Sequence, residues 1–264
     1  MKSKPMREVS FTDSKMKKTK AGKARLDVLL VERGLATSRE RAQAILLAGQ
    51  VRVNGQKMEK AGSQVALDAD VEIIGEVLRY ASRGGLKLEG ALNDFSVTPH
   101  DKICLDVGSS TGGFTDCLLQ HGARRVYAVD VTASQLDWKL RQDARVTLIE
   151  RNARFLCAED VAELAEFVVV DVSFISVSKV LPAIVPLAAK SSEFLILIKP
   201  QFELEKRDVG KGGIVRDAAA HQKAIERVTA AARETGLEIV GVKPSRLQGA
   251  EGNQEFFLHA RRRG

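Results

Sequence analysis

Two charged residues stand where apolar runs end. Glu166-Phe-Val-Val-Val-Asp171 closes on a carboxylate, and Phe194-Leu-Ile-Leu-Ile198 closes on Lys199, with Pro200 behind it. Open α/β sheets bind ligands at the carboxyl ends of their strands, so Asp171 and Lys199 are candidates for chemistry. A lysine held between a buried strand and a proline loses water. Desolvation would lower its pKa and make it a usable base. Two plainer readings stay open: a lysine snorkelling at a strand end, and Asp171 capping the helix that follows.

A third strand end carries a glycine turn. Ile103-Cys-Leu-Asp-Val107 reads as a short buried strand, and Gly108, Gly112 and Gly113 follow before a helix that stops at Gly122. Arg125-Val-Tyr-Ala-Val-Asp130 is the next strand, and Asp130 lies 22 residues beyond Gly108. A βαβ unit presents a carboxylate to ribose hydroxyls at about this spacing. The glycines read G-x-x-x-G-G, which is not the dinucleotide pattern. Asp106, just ahead of the turn, would repel a pyrophosphate but suits an ammonium or sulfonium. The ligand expected is S-adenosyl-L-methionine, an adenosine without phosphates that carries a cationic sulfur. An ordinary strand–turn–helix junction is the rival.

The elements that must position these residues alternate. A helix is expected over Ser82–Leu92, with Leu86, Leu88, Ala91 and Leu92 inward and Arg83 and Lys87 on its exposed face. A helix near Ser134–Arg141 with Trp138 in the core, a strand at Val146–Ile149 and a helix from about Ser176 to Ala189 follow. A polar loop over 203–215, a long helix over Asp217–Thr235, and strands at Leu237–Val242 and Glu255–His259 complete the chain. The fold class is α/β, with a doubly wound, mostly parallel sheet.

The N-terminal quarter differs. Residues 1–24 are polar and Lys-rich, and read as a disordered basic tail. The first 25 residues hold nine Lys/Arg against two acids, which accounts for the whole net charge of +7. Residues 25–75 form a small α+β unit. They comprise a helix from Arg25 to Gly34, a second helix opened by Thr37-Ser-Arg-Glu40 and ending near Gly49, a hairpin turning at Asn54-Gly55, and a strand at Val71–Ile73. Residues 76–81 read as a linker in which Tyr80 docks the units, and 82–264 as the second domain. Cys104, Cys117 and Cys157 have no metal spacing and read as buried thiols of a reducing cytoplasm. His100, His121, His221 and His259 form no cluster and read as surface or cap residues. No metal is expected, nor a membrane span or secretory signal.

The small unit closely resembles the S4 RNA-binding domain in its R-L-D-x-x-L start, its S-R-x-x-A helix and its V-x-V-N-G turn. The resemblance implies RNA contacts from Arg25, Arg39, Arg41 and Arg52. The remainder resembles the FtsJ-like 2′-O-methyltransferases, and the chain from residue 25 onward resembles the TlyA family of rRNA 2′-O-methyltransferases, also labelled haemolysins. The matching stretches are S-R-G-G-L-K-L at 82–88, L-D-V-G-S-S-T-G-G-F-T-D at 105–116, Q-L-D-W-K-L-R at 135–141, D-V-S-F-I-S at 171–176, I-K-P-Q-F-E at 198–203, V-G-K-G-G-I-V-R-D at 209–217 and G-N-Q-E-F-F at 252–257. Two departures are visible. Glu150-Arg-Asn-Ala-Arg154 is one residue short of the family pattern, and Thr132-Ala-Ser134 replaces its G-Y-G.

The resemblance implies a seven-stranded, Rossmann-like sheet and a catalytic tetrad at Lys87, Asp171, Lys199 and Glu255. Lys199 would take the 2′-hydroxyl proton, Lys87 would help keep Lys199 neutral by like-charge repulsion and hold the ribose, and the two acids would orient the lysines and balance charge. The cofactor set would be Asp106, Gly108, Ser109, Ser110, Thr111, Gly112, Gly113, Phe114, Asp130, Asn152 and Asp171. Arg83, Arg151, Arg154 and Lys206 would meet RNA phosphates; solvated surface charge is their rival reading. The implied substrate is a cytidine of 16S or 23S rRNA, free or in ribosomal subunits, and a monomer is expected. A pore-forming haemolysin, a cofactor-free RNA-modifying enzyme, a non-catalytic assembly factor and a nicotinamide enzyme each leave part of this pattern unused.

Overall fold

Alternating apolar residues at the start of the chain fold into a small unit of two helices and short strands. The computed structural model describes residues 22–36, 39–47, 49–74, 79–205, 208–249 and 252–263, and the chain divides into two units, Met1–Val77 and Leu78–Gly264. Strand β1 (Lys23–Arg25) leads into α1 (Leu26–Glu32) and α2 (Arg39–Leu47). Then come β2 (Val51–Val53), β3 (Gln56–Met58), β4 (Gln64–Ala66) and β5 (Val71–Ile73). β2 pairs antiparallel with both β3 and β5, and β1 pairs with β4. Asn54 and Gly55 both have positive φ, as a tight hairpin turn requires. Leu26, Leu29, Leu30, Ala42, Ile45 and Leu46 from the helices bury against Val51 and Val53. β1 starts at Lys23, two residues inside the stretch read as tail. Residues 1–21 of that tail, and 76–78 of the linker, lie outside the described residues.

One buried charge organises this unit. Asp27 is fully buried and accepts from Arg25 twice at 3.0 Å, from Arg39 at 3.0 Å, from Gln43 at 3.2 Å and from the Val28 N–H at 3.0 Å. The Arg25 guanidinium foremost holds its pKa well below the usual carboxylate range. A depressed folded pKa stabilises above the unfolded value, and that contribution fades as pH falls through the acid range. Asp27→Asn should therefore destabilise the small unit by about 2 kcal/mol at neutral pH. The gap from wild type should narrow below about pH 4, where the unfolded carboxylate protonates. Hydrogen exchange of α1 and α2 amides across that range is the check.

The second unit begins with α3 (Arg83–Phe95), β6 (Ile103–Val107), α4 (Gly113–Gln120), β7 (Arg125–Asp130), α5 (Trp138–Gln142) and β8 (Val146–Glu150). It continues with β9 (Ala165–Val170), α6 (Leu181–Ile184), β10 (Ala188–Ile198), α7 (Pro200–Glu203), α8 (Ala218–Glu234), β11 (Leu237–Pro244) and β12 (Phe256–Arg262). Its sheet has seven strands among the described residues, in the order β11-β12-β10-β9-β6-β7-β8, and β12 alone runs against the direction of the other six.

Strand side chains alternate between two buried faces. Leu105, Val107, Val168, Val170, Ile196 and Ile198 join a core with Leu181, Ala224 and Val228. Cys104, Phe167, Val169, Leu195 and Leu197 join another with Leu88, Leu92, Cys117 and Leu118 of α3 and α4. Successive helices after β6 and β9 pack on opposite faces, which opens a crevice at the ends of those two strands. No helix of the described residues is long and apolar enough to cross a membrane.

Several expected elements differ. The helix over Ser134–Arg141 is a short 3-10 turn at Ala133–Gln135 and then α5, restarted by Asp137, whose carboxylate caps Lys139 N. Trp138 is 43% exposed, so it is not a core residue. Pro182 and Pro186 cut the expected Ser176–Ala189 helix into single turns, and β10 starts at Ala188. Tyr80 is buried within the second unit's own core, beside Cys117 and Leu88. Cys157 is partly exposed, and His259 is buried and paired with Glu193.

Candidate active site

The glycine turn is tied down from three sides. Gly108 and Ser109 both donate backbone N–H to the Val129 carbonyl, at 2.9 and 3.0 Å. Gly108 has φ +91, and a Cβ there would sit 2.2 Å from the Asp171 carbonyl oxygen. Only glycine lets β6 and β9 close this tightly at their ends. Gly113 serves a different contact: its Cβ would lie 2.2 Å from Ser82 Oγ, so α4 and α3 meet there. Gly112 has φ +94 and faces Leu136 and Leu140.

Asp130 clasps the same turn. Its Oδ2 accepts from Ser110 N at 2.9 Å and its Oδ1 from Thr132 N at 3.1 Å. A carboxylate oxygen has capacity for a further donor, and Asp130 lines an open cleft of about 970 Å³ together with Gly108, Ser110, Asn152 and Asp171. Asn152 caps its own turn by accepting from Arg154 N at 3.1 Å. A smaller cleft of about 180 Å³ shares Gly108, Ser110 and Asp171, and adds Ser109, Thr111, Gly113 and Phe114. Asp106 and Gly112 line neither cleft.

Asp106 corrects the expected counter-charge to a sulfonium. On β6 it shares a face with Cys104, so it points at α4 and not out of the strand end. It is fully buried and accepts from Thr115 Oγ1 at 2.6 Å, while its other oxygen has no partner. Burial pushes its pKa up to about 7. The group supports the floor of the turn.

The residues present fit S-adenosylmethionine. A roomy cleft lies at the strand switch, a carboxylate stands at the nucleoside position, and a turn without a Cβ lets a ligand approach the backbone. The buried Ser109 hydroxyl, next to the turn, has no hydrogen-bond partner.

Two ion pairs stand beside this cleft. Lys199 Nζ lies 2.5 Å from Asp171 Oδ1 and donates to Ser173 Oγ at 2.8 Å. Lys87 Nζ lies 2.5 Å from Glu255 Oε2. The Lys87 side chain is 11% exposed, so it is not on an outer face of α3; Arg83 is. Lys87, Arg83 and Asp171 line the smaller cleft together. Glu255 is wedged against Gly249, where a Cβ would lie 2.6 Å from Oε1. The four residues come from α3, from directly past β9 and β10 and from directly ahead of β12, up to 168 positions apart, and form two lysine–carboxylate pairs.

The basic candidates divide. Arg151 and Arg154 line the larger cleft, but Arg151 is paired with Asp160 at 2.6 Å, and Arg154 lies 5.6 Å over the Phe155 ring. In the small unit, Arg25 and Arg39 fork onto Asp27 with about half of each side chain exposed, and Arg52 points outward from β2. The Arg41 side chain and Lys206 lie outside the described residues.

Among the cleft residues that the sequence reading did not single out are Phe174, Gln248 and Arg227. Phe174 is 92% exposed at φ +64, with its ring 5.1 Å from Phe202. Gln248 lines the smaller cleft and Arg227 the larger. The D-V-S-F-I-S run held the only signal for Phe174, an aromatic directly past a strand-end acid.

Comparison with known proteins agrees with this geometry. Residues 80–262 match the FtsJ-like methyltransferase family, and residues 24–71 match the S4 domain. A candidate rRNA methyltransferase, YqxC of Bacillus subtilis, is 48% identical over 90% of this chain and 85% of its own length. The 16S/23S rRNA (cytidine-2′-O)-methyltransferase TlyA of Mycobacterium tuberculosis is 44% identical over 91% of each chain. A solved structure of a candidate hemolysin from Streptococcus thermophilus superposes with a TM-score of 0.72, at 43% identity, over 92% of this chain and 90% of that one.

Proposed function

The chain belongs to the FtsJ-like methyltransferase family, with an S4 domain ahead of the catalytic unit, and on that premise we propose that it methylates a ribose 2′-hydroxyl of ribosomal RNA. The residue favoured as target is a cytidine, as in the relative from Mycobacterium tuberculosis. What supports the reading is one juxtaposition: two lysine–carboxylate pairs beside two adjoining clefts, Asp171 lining both and Lys87 the smaller.

A 2′-hydroxyl is a poor nucleophile until a base takes its proton. When bound, S-adenosylmethionine supplies the electrophilic methyl. Lys199 takes the hydroxyl proton after passing its own to water, and Asp171 at 2.5 Å holds the ammonium that results. Lys199 is 12% exposed, so water can carry that proton away before the next turnover. Lys87 holds the ribose, and Glu255 fixes the reach of Lys87. Arg83 and Arg154 meet flanking phosphates, and Arg25, Arg39 and Arg52 grip structured RNA through its backbone.

Phe174 stands at the cleft mouth as a platform for an unstacked base. Phe174→Ala should lower kcat/KM for RNA by about 10–100-fold. Thermal stability should hold, because the ring is solvent-exposed and alanine keeps the same Cβ at the same φ. Steady-state kinetics beside a melting curve checks both.

The test of the whole reading uses rRNA lacking modification and S-adenosylmethionine with a labelled methyl. A 2′-O-methyl blocks alkaline cleavage at its own phosphodiester. Label recovered in alkali-resistant dinucleotides supports the proposal; label in ordinary mononucleotides, or none on any rRNA or subunit, overturns it.

A further inference from the structure

A buried carboxylate is costly unless both oxygens are claimed. Glu203 is 2% exposed, at the end of α7 and four residues past Lys199. Its Oε2 accepts from Ser176 Oγ at 2.5 Å, and its Oε1 accepts the Val177 N–H at 2.8 Å. Burial pushes its pKa up, against the pull of these donors and of Arg227, which reaches from α8 to the Glu203 carbonyl at 2.8 Å.

The partners of Glu203 end a segment whose start is Asp171. Residues 171–176 carry Asp171, Ser173 and Phe174; residues 199–203 carry Lys199, Phe202 and Glu203. Contacts run between the two segments in order: Lys199 to Asp171 and Ser173, Phe202 to Phe174, and Glu203 to Ser176 and Val177. Glu203 supplies the far rung. Val177 and Val180 hold the far end through the core, and Glu203 adds the polar rung that fixes the backbone carrying Ser173 and Phe174 at φ +64.

We propose that Glu203 is a positioning residue, whose carboxylate pins residues 171–176 against residues 199–203 and so keeps Asp171 and Ser173 within reach of Lys199. Its effect on turnover rests on the reading of Lys199 as the base; the pin itself does not. The role calls for shape and two polar atoms, not charge. Glutamine can accept from Val177 N with its oxygen and donate to Ser176 Oγ with its amide. The Ser176 hydroxyl is then free to donate to Ser178 Oγ, 2.7 Å away. Alanine makes neither bond.

The full chain is compared as wild type, Glu203→Ala and Glu203→Gln, by hydrogen exchange and by methyl transfer to rRNA. Exchange of the hydrogen-bonded amides 177–180 should rise by about 10-fold or more in the alanine variant, with the β9 and β10 amides unchanged. kcat should fall by about 100-fold, as for a reacting group displaced by an ångström, and cofactor affinity by less than about 10-fold. Glu203→Gln should restore both exchange and kcat to near wild type. Ser176→Ala, which removes one bond from the other side, should give a smaller change at the same amides and decides the matter if Glu203→Ala does not fold. Unchanged exchange at 177–180, exchange raised throughout the sheet, or a glutamine variant as impaired as the alanine one would each overturn the proposal. If the wild type itself methylates no rRNA, the functional reading fails, and the exchange data still decide the pin.

Discussion

Lys199→Ala should reduce kcat by about 10³-fold or more, within the range that loss of a general base produces, while S-adenosylmethionine binds nearly as before. The two halves of this expectation have separate origins. Lys199 Nζ is committed to Asp171 and Ser173 at the end of β10, where it can reach a hydroxyl but is not among the residues that line the larger cleft. Its removal takes away the proton acceptor and leaves the cofactor's surroundings standing. Asp171 loses its cation, but at about one-fifth exposed it can recruit water, so the fold should lose only about 1 kcal/mol. Cofactor titration calorimetry with single-turnover kinetics measures both halves. Retained turnover would remove Lys199 as the base. Lost cofactor binding would place it in the cradle instead.

Gly108→Ala should be the most damaging single methyl in the molecule. A φ of +91 already disfavours any L side chain, and the new Cβ would meet the Asp171 carbonyl at 2.2 Å. That neighbour is backbone and cannot swing aside, so β6 and β9 must part where the cofactor cradle and Asp171 are both held. A loss of about 3 kcal/mol, or roughly 6–12 °C in melting temperature, is expected. Cofactor affinity should weaken by about 100-fold or more, because Gly108 lines both clefts. Gly236→Ala is the control. Its φ is +87, but nothing lies within 4 Å of the added atom. It should cost only the backbone strain, about 1 kcal/mol, with binding intact. Equal losses in the two variants would show that strain alone, and not the strand-end contact, accounts for the effect.

The central strands were legible because burial on both faces writes them as unbroken apolar runs. Ile103–Val107, Arg125–Asp130 and Phe194–Ile198 all fall within observed strands. The strand-end charges were legible for the same reason: Asp171 and Lys199 interrupt such runs. The direction of Asp106 was not foreseen, although its parity with Cys104 on β6 carries it. The burial of Lys87 had no local signal at all. Its neighbours Leu88, Ala91 and Leu92 mark the buried side of α3, and only Glu255, arriving from the far end of the chain, draws the ammonium inward. β4 was missed because three residues at a sheet edge carry too little pattern. The break of the Ser176–Ala189 helix was written in Pro182 and Pro186 and was passed over. The positive φ of Phe174 leaves no trace in composition, so its exposure could not be read ahead of the structure.

The proposed work of the two lysine–carboxylate pairs is to place and deprotonate a ribose hydroxyl of rRNA that accepts the methyl of S-adenosylmethionine. Its most direct test is nucleoside mass spectrometry of unmodified rRNA and ribosomal subunits after incubation with S-adenosylmethionine and either the wild type or Lys199→Ala. The account predicts a new 2′-O-methyl nucleoside, cytidine foremost, with the wild type and none with the variant. A methyl found on a base, or equal 2′-O-methylation by both proteins, would contradict it.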